Sequence, residues 1–208
     1  MLYEYLKENY KENEPIFISE LQYKNLNMNA IRQQILNLTN KNLLIRYDTG
    51  IYFIPGKSIF KTSKTLNQNK VIEKKYISTN DEIVGYFSGL NFANRIGITT
   101  QVPNLYEVVS NKATCDYREL KIGSTKIILR KPRTKITKEN YLELQFLDMI
   151  KEIDNLSILD QEENKKIVLN YMNMAKISFE KLQKLLEFYP DKIYKNLYQV
   201  GVLNGVSA

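Results

Sequence analysis

The chain has 208 residues, of which 43% are hydrophobic, and a formal net charge of +7. This size allows one large domain or two small ones, each with a buried core. Histidine is absent and Cys115 is the single cysteine, which excludes histidine-dependent triads, HExxH metal sites and thiolate zinc sites. We therefore expect no metal and no cofactor, and any enzyme would have to use carboxylates, lysine or tyrosine.

The sequence also predicts where the protein resides. No apolar run approaches the roughly 20 residues that a membrane span needs. The N-terminal stretch MLYEYLKENYKENEP is charged throughout and lacks the apolar centre of a signal peptide. We expect a cytoplasmic protein with no membrane partner.

Helical periodicity dominates the first 42 residues. Apolar spacing predicts a helix over residues 2–12, which Pro15 would end. Ser19 is a typical N-cap for a second helix over residues 20–24. The apolar face of a third helix follows, formed by Ala30, Ile31, Ile35 and Leu38.

A β-hairpin is predicted next. Residues 43–47 and 51–54 are β-type runs joined by Asp48-Thr49-Gly50, with glycine where a positive φ is needed. The same triplet carries the catalytic aspartate of aspartic proteases, but such a site needs a second aspartate-bearing loop, and no second Asp-Thr/Ser-Gly occurs. The hairpin is therefore interpreted as the wing of a winged helix-turn-helix domain over residues 1–57.

In such a domain the third helix enters the major groove of DNA. Side chains suited to base contacts are expected to point outward near its start: Asn27, Asn29, Arg32 and Gln33. Phosphate contacts are expected from Lys24, Arg46 and Thr49. Residues 1–57 carry a net charge of only +1, so a winged helix that binds protein instead stays open as an alternative.

The rest of the chain changes character twice. Residues 58–80 are rich in lysine and threonine and predict a basic linker with a helix over residues 66–77. Residues 81–208 predict a mixed α/β domain whose C-terminal part, from residue 139, is helical. One apolar stripe in that part, Ile167, Tyr171 and Met174, is expected to face the core. The predicted fold class is α+β and helix-rich.

The middle segment, residues 112–138, carries nine basic and two acidic side chains. Its densest cluster, Arg130, Lys131 and Arg133, ends a predicted strand. Such a cluster can hold a phosphate backbone, RNA or an acidic protein face. It can equally be an edge strand that charge protects from aggregation, and both interpretations stay open.

Residues 85–110, GYFSGLNFANRIGITTQVPNLYEVVS, resemble the AbiEi family, the antitoxins of type IV toxin–antitoxin (abortive infection) systems. The similarity lies in Gly85-Tyr86, in Ser88-Gly89-Leu90 leading into a helix that ends at Gly97, and in Thr100-Gln101-Val102-Pro103 before a strand. A basic strand pair ending at Arg130 follows. With the preceding hairpin, which ends in a Gly-x-Tyr-x-x-Pro pattern, the resemblance covers residues 1–155.

The resemblance implies a protein that is not an enzyme. It implies an autorepressor that binds an inverted-repeat operator in double-stranded DNA, as a homodimer or as two molecules on paired half-sites. It also implies an antitoxin that counteracts a cognate nucleotidyltransferase toxin, functionally if not by direct contact. The implied partner surface comprises Thr100, Gln101, Lys126, Arg130, Lys131 and Arg133.

Two other functions stay open beside this one. The first is a protein- or RNA-binding module that uses the basic 112–138 surface and whose winged helix does not bind DNA. The second, more distant, is a hydrolase that works with carboxylates. Adjacent genes would separate them, because a neighbouring nucleotidyltransferase gene favours the antitoxin.

Overall fold

The computed structural model describes residues 1–56, 66–79 and 82–203. The chain forms a mixed α/β fold that divides into two compact units, Met1–Lys74 and Lys75–Ala208. This division falls within the predicted linker, of which residues 58–65 and 80 lie outside the described residues. In the described ranges no helix combines the length and the apolar character needed to cross a membrane.

The first unit combines helices with a small antiparallel sheet of order β1-β3-β2. Its elements are α1 (Leu2–Asn9), β1 (Ile16–Phe17), a 3-10 turn (Ile18–Glu20), α2 (Met28–Asn40), β2 (Ile45–Asp48), β3 (Ile51–Phe53) and α3 (Gln68–Ile72). A single π-helical turn, Glu73–Ile77, continues α3.

The predicted third helix and hairpin are confirmed as α2 and the β2–β3 pair. Asn27 begins α2, because its side-chain Oδ1 accepts a hydrogen bond from the Ala30 N–H at 2.9 Å. Ile31 and Ile35 anchor the helix in the core, together with Leu6 of α1. At the hairpin tip Gly50 has a φ of +74°, a conformation that other residues adopt only with strain.

The predicted second helix, residues 20–24, is wrong. Only the 3-10 turn forms there, with Ser19 inside it rather than before it. Lys24 and Asn25 both take left-handed φ angles, +47° and +53°, which no right-handed helix accommodates. Leu21 and Tyr23 are nevertheless buried, so the segment contributes its apolar side chains to the core without being helical. The first helix also ends earlier than predicted, at Asn9.

The second unit contains a four-stranded sheet of order β6-β7-β9-β8, in which β7 and β9 are parallel and the other pairs antiparallel. Its strands are β4 (Ser78–Thr79), β5 (Glu82–Ile83), β6 (Gly85–Ser88), β7 (Tyr106–Ser110), β8 (Tyr117–Ile122) and β9 (Thr125–Arg130). Its helices are α4 (Gly89–Ile96), α5 (Tyr141–Lys151), α6 (Ile153–Leu156), α7 (Gln161–Ala175), α8 (Phe179–Gln183) and α9 (Lys192–Gln199), with a 3-10 turn at Leu186–Phe188.

Helix α5 lies at the centre of the core of this unit. Its Leu144, Phe146 and Leu147 are fully buried, as expected for a helix with neighbours on several sides. The predicted stripe of α7 is wrong in part, because Met174 is 75% exposed while Val168 and Met172 are buried. The predicted stripe and the buried one are shifted by one residue, which corresponds to about 100° of rotation around the helix. Both contain apolar residues at helical spacing, so periodicity alone did not show which of them faces the core.

Asn196 of α9 connects that helix to α5 through a buried polar contact. Its side-chain Nδ2 donates to the carbonyl oxygens of Ile150 at 2.7 Å and of Lys151 at 3.4 Å. These carbonyls belong to the last turn of α5, where no intrahelical N–H reaches them in the ordinary α-helical pattern.

We expect Asn196→Ala to lower the free energy of unfolding by about 1–3 kcal/mol, because buried carbonyl groups lose their donor. Chemical denaturation followed by circular dichroism measures the change. Asn173→Ala is the matched control, since Asn173 is an exposed asparagine of α7. Equal stability of the two variants would contradict the role given to Asn196.

Candidate functional site

One exposed face of α2 carries the polar side chains that the sequence analysis assigned to base contacts. Asn29, Arg32 and Gln33 are all exposed, and Arg32 Nη1 donates to Asn29 Oδ1 at 3.3 Å. Leu36 continues the face and is 52% exposed. It was missed at the sequence level, although it lies outside the predicted buried stripe. Leu36 suits contact with a thymine methyl group.

Two residues of the predicted interface have local structural roles. Asn27 uses its Oδ1 to cap α2, so the amide nitrogen is what its side chain retains for a ligand. Lys24 precedes the helix in a left-handed conformation, and its ammonium group lies 5.4 Å from the ring centre of Tyr23. Both residues remain exposed at the N-terminal end of the helix.

The hairpin tip brings Arg46 and Thr49 together. Arg46 Nη2 donates to Thr49 Oγ1 at 3.2 Å, and Arg46 Nε donates to the carbonyl of Asp48 at 3.4 Å. The Asp48 carboxylate accepts from the Thr49 N–H at 2.6 Å. The aspartate of the Asp-Thr-Gly triplet therefore shapes the turn, as aspartate commonly does at turn positions.

The charges of the first unit are segregated, although residues 1–56 contain six basic and six acidic side chains. Five of the acidic residues precede residue 21, and α2, with the sequence MNAIRQQILNLTN, has none. Glu14, one of the five, pairs with Lys74 at 3.2 Å. Helix α2 itself therefore presents no carboxylate on its exposed face.

In the second unit the sheet register divides the predicted partner surface. Parallel pairing sets Tyr106 beside Ile127 and Val109 beside Arg130. The loop that carries Thr100 and Gln101 leads into the start of β7, and therefore lies at the end where β9 begins, near Lys126. Arg130, Lys131 and Arg133 lie at the opposite end, about 10 Å or more away at 3.3 Å per residue. The structure does not bring the six residues together.

The loop between α4 and β7 is tied down by asparagine side chains. Asn94 Nδ2 donates to the carbonyls of Thr99 at 3.3 Å and of Gln101 at 3.1 Å. Asn91 holds the far end of the loop through two further backbone contacts. The loop thus holds Val102, which is 83% exposed, in a defined position. Such an apolar side chain on a constrained loop is typical of a protein-contact site.

A cavity of about 650 Å³ opens beside the predicted basic cluster, and its lining extends from Gly89 of α4 and Glu107 of β7 to Arg130 at the end of β9. Arg130, Lys131 and Arg133 all line it, and Lys151 of α5 joins them. Lys151 is the last residue of α5, so most of that helix and the segment before it separate Lys151 from the other three in sequence. Sequence analysis found the first three and missed Lys151.

Asp148 lies within this cavity, half-way along α5. The Tyr86 hydroxyl donates to Asp148 Oδ2 at 2.7 Å, and Arg133 Nε lies 3.7 Å from Oδ1. Burial raises the pKa of Asp148 above its ordinary 3.8, despite the Tyr86 hydrogen bond and nearby cations. Burial and the neighbouring Asp148 also raise the pKa of Tyr86 and of Tyr189. The signal for this site was a carboxylate inside the apolar run FLDMI.

A second carboxylate of the cavity, Glu107, lies against the start of α4. Gly89 begins that helix with a φ of +56°, and a Cβ atom there would collide with the Glu107 carboxylate. Arg130 Nη2 contacts Glu107 Oε2 at 3.4 Å. The helix start and Arg130 thus share one anionic group.

The chain matches the family DUF6088, a family of unknown function, over residues 4–177, and it belongs to that family. No curated protein matches it. Within the described ranges no group of three or more histidine, cysteine or acidic side chains is placed to hold a metal ion. A functional proposal therefore rests on the two surfaces described above and on the resemblance of residues 85–110.

We expect Asp148→Asn to change how stability depends on pH. The raised folded-state pKa of Asp148 means that its contribution to the free energy of unfolding falls as pH rises above 3.8. Asparagine lacks this titration, so the stability of the variant relative to wild type should improve between about pH 3.5 and pH 7. Denaturant titrations at both pH values measure it, and a relative stability that declines would contradict the burial argument.

Proposed function

We propose that this chain is a DNA-binding autorepressor and antitoxin of a type IV toxin–antitoxin system, acting against a nucleotidyltransferase-type toxin. The single observation that carries the DNA-binding half is the exposed, carboxylate-free face of α2. We also propose that the first unit is a winged helix-turn-helix domain whose second helix is reduced to the 3-10 turn.

Each side chain of the face has a role that its chemistry suits. Arg32 would read guanine through two parallel hydrogen bonds, and Asn29 or Gln33 would read adenine. Arg46 and Thr49 at the hairpin tip would contact phosphates. Lys24 would add a phosphate contact beside the start of α2.

The small number of cations favours binding by two copies. Phosphate affinity grows with the number of neutralised charges, and the cations assigned to DNA contact in one copy are Lys24, Arg32 and Arg46. Two copies on half-sites about 34 Å apart would double that number. An inverted-repeat operator meets this requirement.

The antitoxin half rests on the resemblance of residues 85–110 and on the constrained loop that they include. Thr100, Gln101 and Val102 are exposed on that loop, and Lys126 lies at the same end of the sheet. We assign this group to toxin contact. An apolar side chain flanked by polar groups is a suitable centre for a protein interface.

We expect the double variant Asn29→Ala, Arg32→Ala to bind DNA from upstream of its own gene no better than a scrambled duplex. Each two-pronged base contact contributes about 1–3 kcal/mol of discrimination. Fluorescence anisotropy across a salt series measures both affinities.

Lys7→Ala is the charge-matched control, because Lys7 is an exposed cation of α1 on an element that the proposal keeps away from DNA. It should retain operator affinity. A folded double variant with unchanged operator affinity would refute the assignment of α2. Equal weak binding of the wild type to both duplexes would favour the protein- or RNA-binding alternative.

A second prediction concerns the loop. In cells that express the neighbouring nucleotidyltransferase toxin, Val102→Asp should abolish rescue of growth, because a charge at the tip opposes burial against the toxin. Operator binding should be unchanged, since residue 102 lies in the second unit. Lys138→Asp, at an exposed position outside the loop, is the control, and full rescue by Val102→Asp would contradict toxin contact through the loop.

A further inference from the structure

We infer that the cavity beside β9 binds a phosphorylated nucleotide unit, with its phosphate on Arg130, Lys131 and Arg133 and its base against Tyr117. This site goes beyond the proposed repressor and antitoxin roles, since it lies in the second unit and its lining does not include the loop residues Thr100, Gln101 and Val102.

The size of the cavity fits such a ligand. Its volume of about 650 Å³ falls within the roughly 300–1,000 Å³ of small-molecule sites. Polar and charged side chains make up most of its lining. A phosphorylated nucleotide matches both properties, because it combines a compact anion with a flat ring that carries many hydrogen-bonding groups.

The guanidinium groups have donors to spare. The Arg130 side chain is 46% exposed and contacts Glu107 at 3.4 Å, and the Arg133 side chain is 36% exposed and approaches Asp148 at 3.7 Å. Both distances exceed the roughly 2.7–2.9 Å of a strong charge-assisted hydrogen bond. Each arginine presents five N–H donors, so a phosphate oxygen can be bound without displacing these carboxylates.

Lys131 supplies the least committed cation of the site. It is exposed, and within the described residues it forms no ion pair at 4.0 Å or less. Together with Arg130 and Arg133 it forms a local cluster of three cations, to which a phosphate can bind.

Four carboxylates line the cavity together with four cations. Glu107 lies against the start of α4, Asp148 accepts a hydrogen bond from the Tyr86 hydroxyl, and Glu152 pairs with Lys151 at 3.1 Å. The fourth, Asp116, is exposed and directly precedes Tyr117, so the proposed phosphate site depends on the local cluster of Arg130, Lys131 and Arg133 and not on the net charge of the cavity.

Tyr117, which lies beside Arg130 and is not itself part of the cavity lining, provides the surface for the base. It is directly opposite Arg130 in the β8–β9 register, its ring centre lies 5.7 Å from the Arg130 guanidinium carbon, and it is 50% exposed. An exposed aromatic ring beside cations is the arrangement with which proteins hold nucleotides, because every base has a face that can stack.

The same strand pair extends the basic surface. Lys121 and Lys126 lie directly opposite each other, and like charges in that position repel. An anionic strand that continues from the cavity would relieve this repulsion. The nucleotide can therefore come from a free mononucleotide or from the end of a single strand, and the experiment separates these sources.

Isothermal titration calorimetry of the full chain tests the site with four probes: adenosine 5′-monophosphate, adenosine, inorganic phosphate and a 5′-phosphorylated single-stranded hexanucleotide. We expect adenosine and phosphate each to bind at least about tenfold more weakly than the monophosphate, because each lacks one half of the recognition. Tighter binding of the hexanucleotide identifies a strand end as the ligand, and equal binding identifies the mononucleotide.

The variants assign the contacts. Lys131→Gln should weaken binding of the monophosphate about tenfold, because it removes one charge-assisted contact. Lys138 is an exposed lysine that does not line the cavity, so Lys138→Gln should leave that affinity unchanged. Tyr117→Ala should weaken binding of the monophosphate but not of inorganic phosphate. Tyr117→Phe, which keeps an aromatic ring, should bind the monophosphate as the wild type does.

Three results would overturn the inference: no binding of the monophosphate, equal effects of Lys131→Gln and Lys138→Gln, or phosphate binding as tight as that of the monophosphate, which would mean an adventitious ion only. Arg32→Ala separates this site from the proposed operator site. This variant should lose operator binding and retain its affinity for the monophosphate, so the operator proposal and the nucleotide proposal can each fail without the other.

Discussion

Parallel pairing between β7 and β9 is the constraint on which the arrangement of the second unit depends. Because Tyr106 pairs with Ile127 and Val109 with Arg130, the entry to β7 and the exit from β9 lie at opposite ends of the sheet. The constrained loop with Val102 is held at one end and the basic cluster at the other. The loop residues Thr100, Gln101 and Val102 and the cavity residues Arg130, Lys131 and Arg133 therefore form two surfaces that suit different partners.

The buried carboxylate of Asp148 determines the character of the cavity. A charge in this position costs desolvation free energy, and a buried ion pair is weak support for stability. Tyr86 and Arg133 offset part of that cost through their contacts with the carboxylate. The same contacts hold Arg133 beside the cavity, where Arg133 Nη1 also donates to the carbonyl of Phe188 at 3.1 Å. The network thus orients a cation that the nucleotide site requires.

In the first unit, side-chain placement matters more than net charge. Residues 1–56 carry six basic and six acidic side chains, yet five of the acidic ones precede residue 21 while α2 has none. The contact between Arg32 and Asn29 orients both side chains before any ligand arrives, which reduces the entropy that binding would cost. At the hairpin tip, Asp48 and Arg46 order the turn in a comparable way.

Local patterns in the sequence determined α2, the hairpin with Gly50, the end of α4 at Gly97 and the apolar character of α5, because capping, glycine conformation and periodicity act over a few neighbouring residues. The end of β9 towards which the loop with Thr100 and Gln101 leads depended on strand register. The 3-10 turn in place of a second helix and the rotation of α7 depended on packing. So did the contact between Tyr86 and Asp148, which are 62 residues apart. Periodicity shows which residues of an element are apolar, whereas only the tertiary structure decides which distant element packs against them.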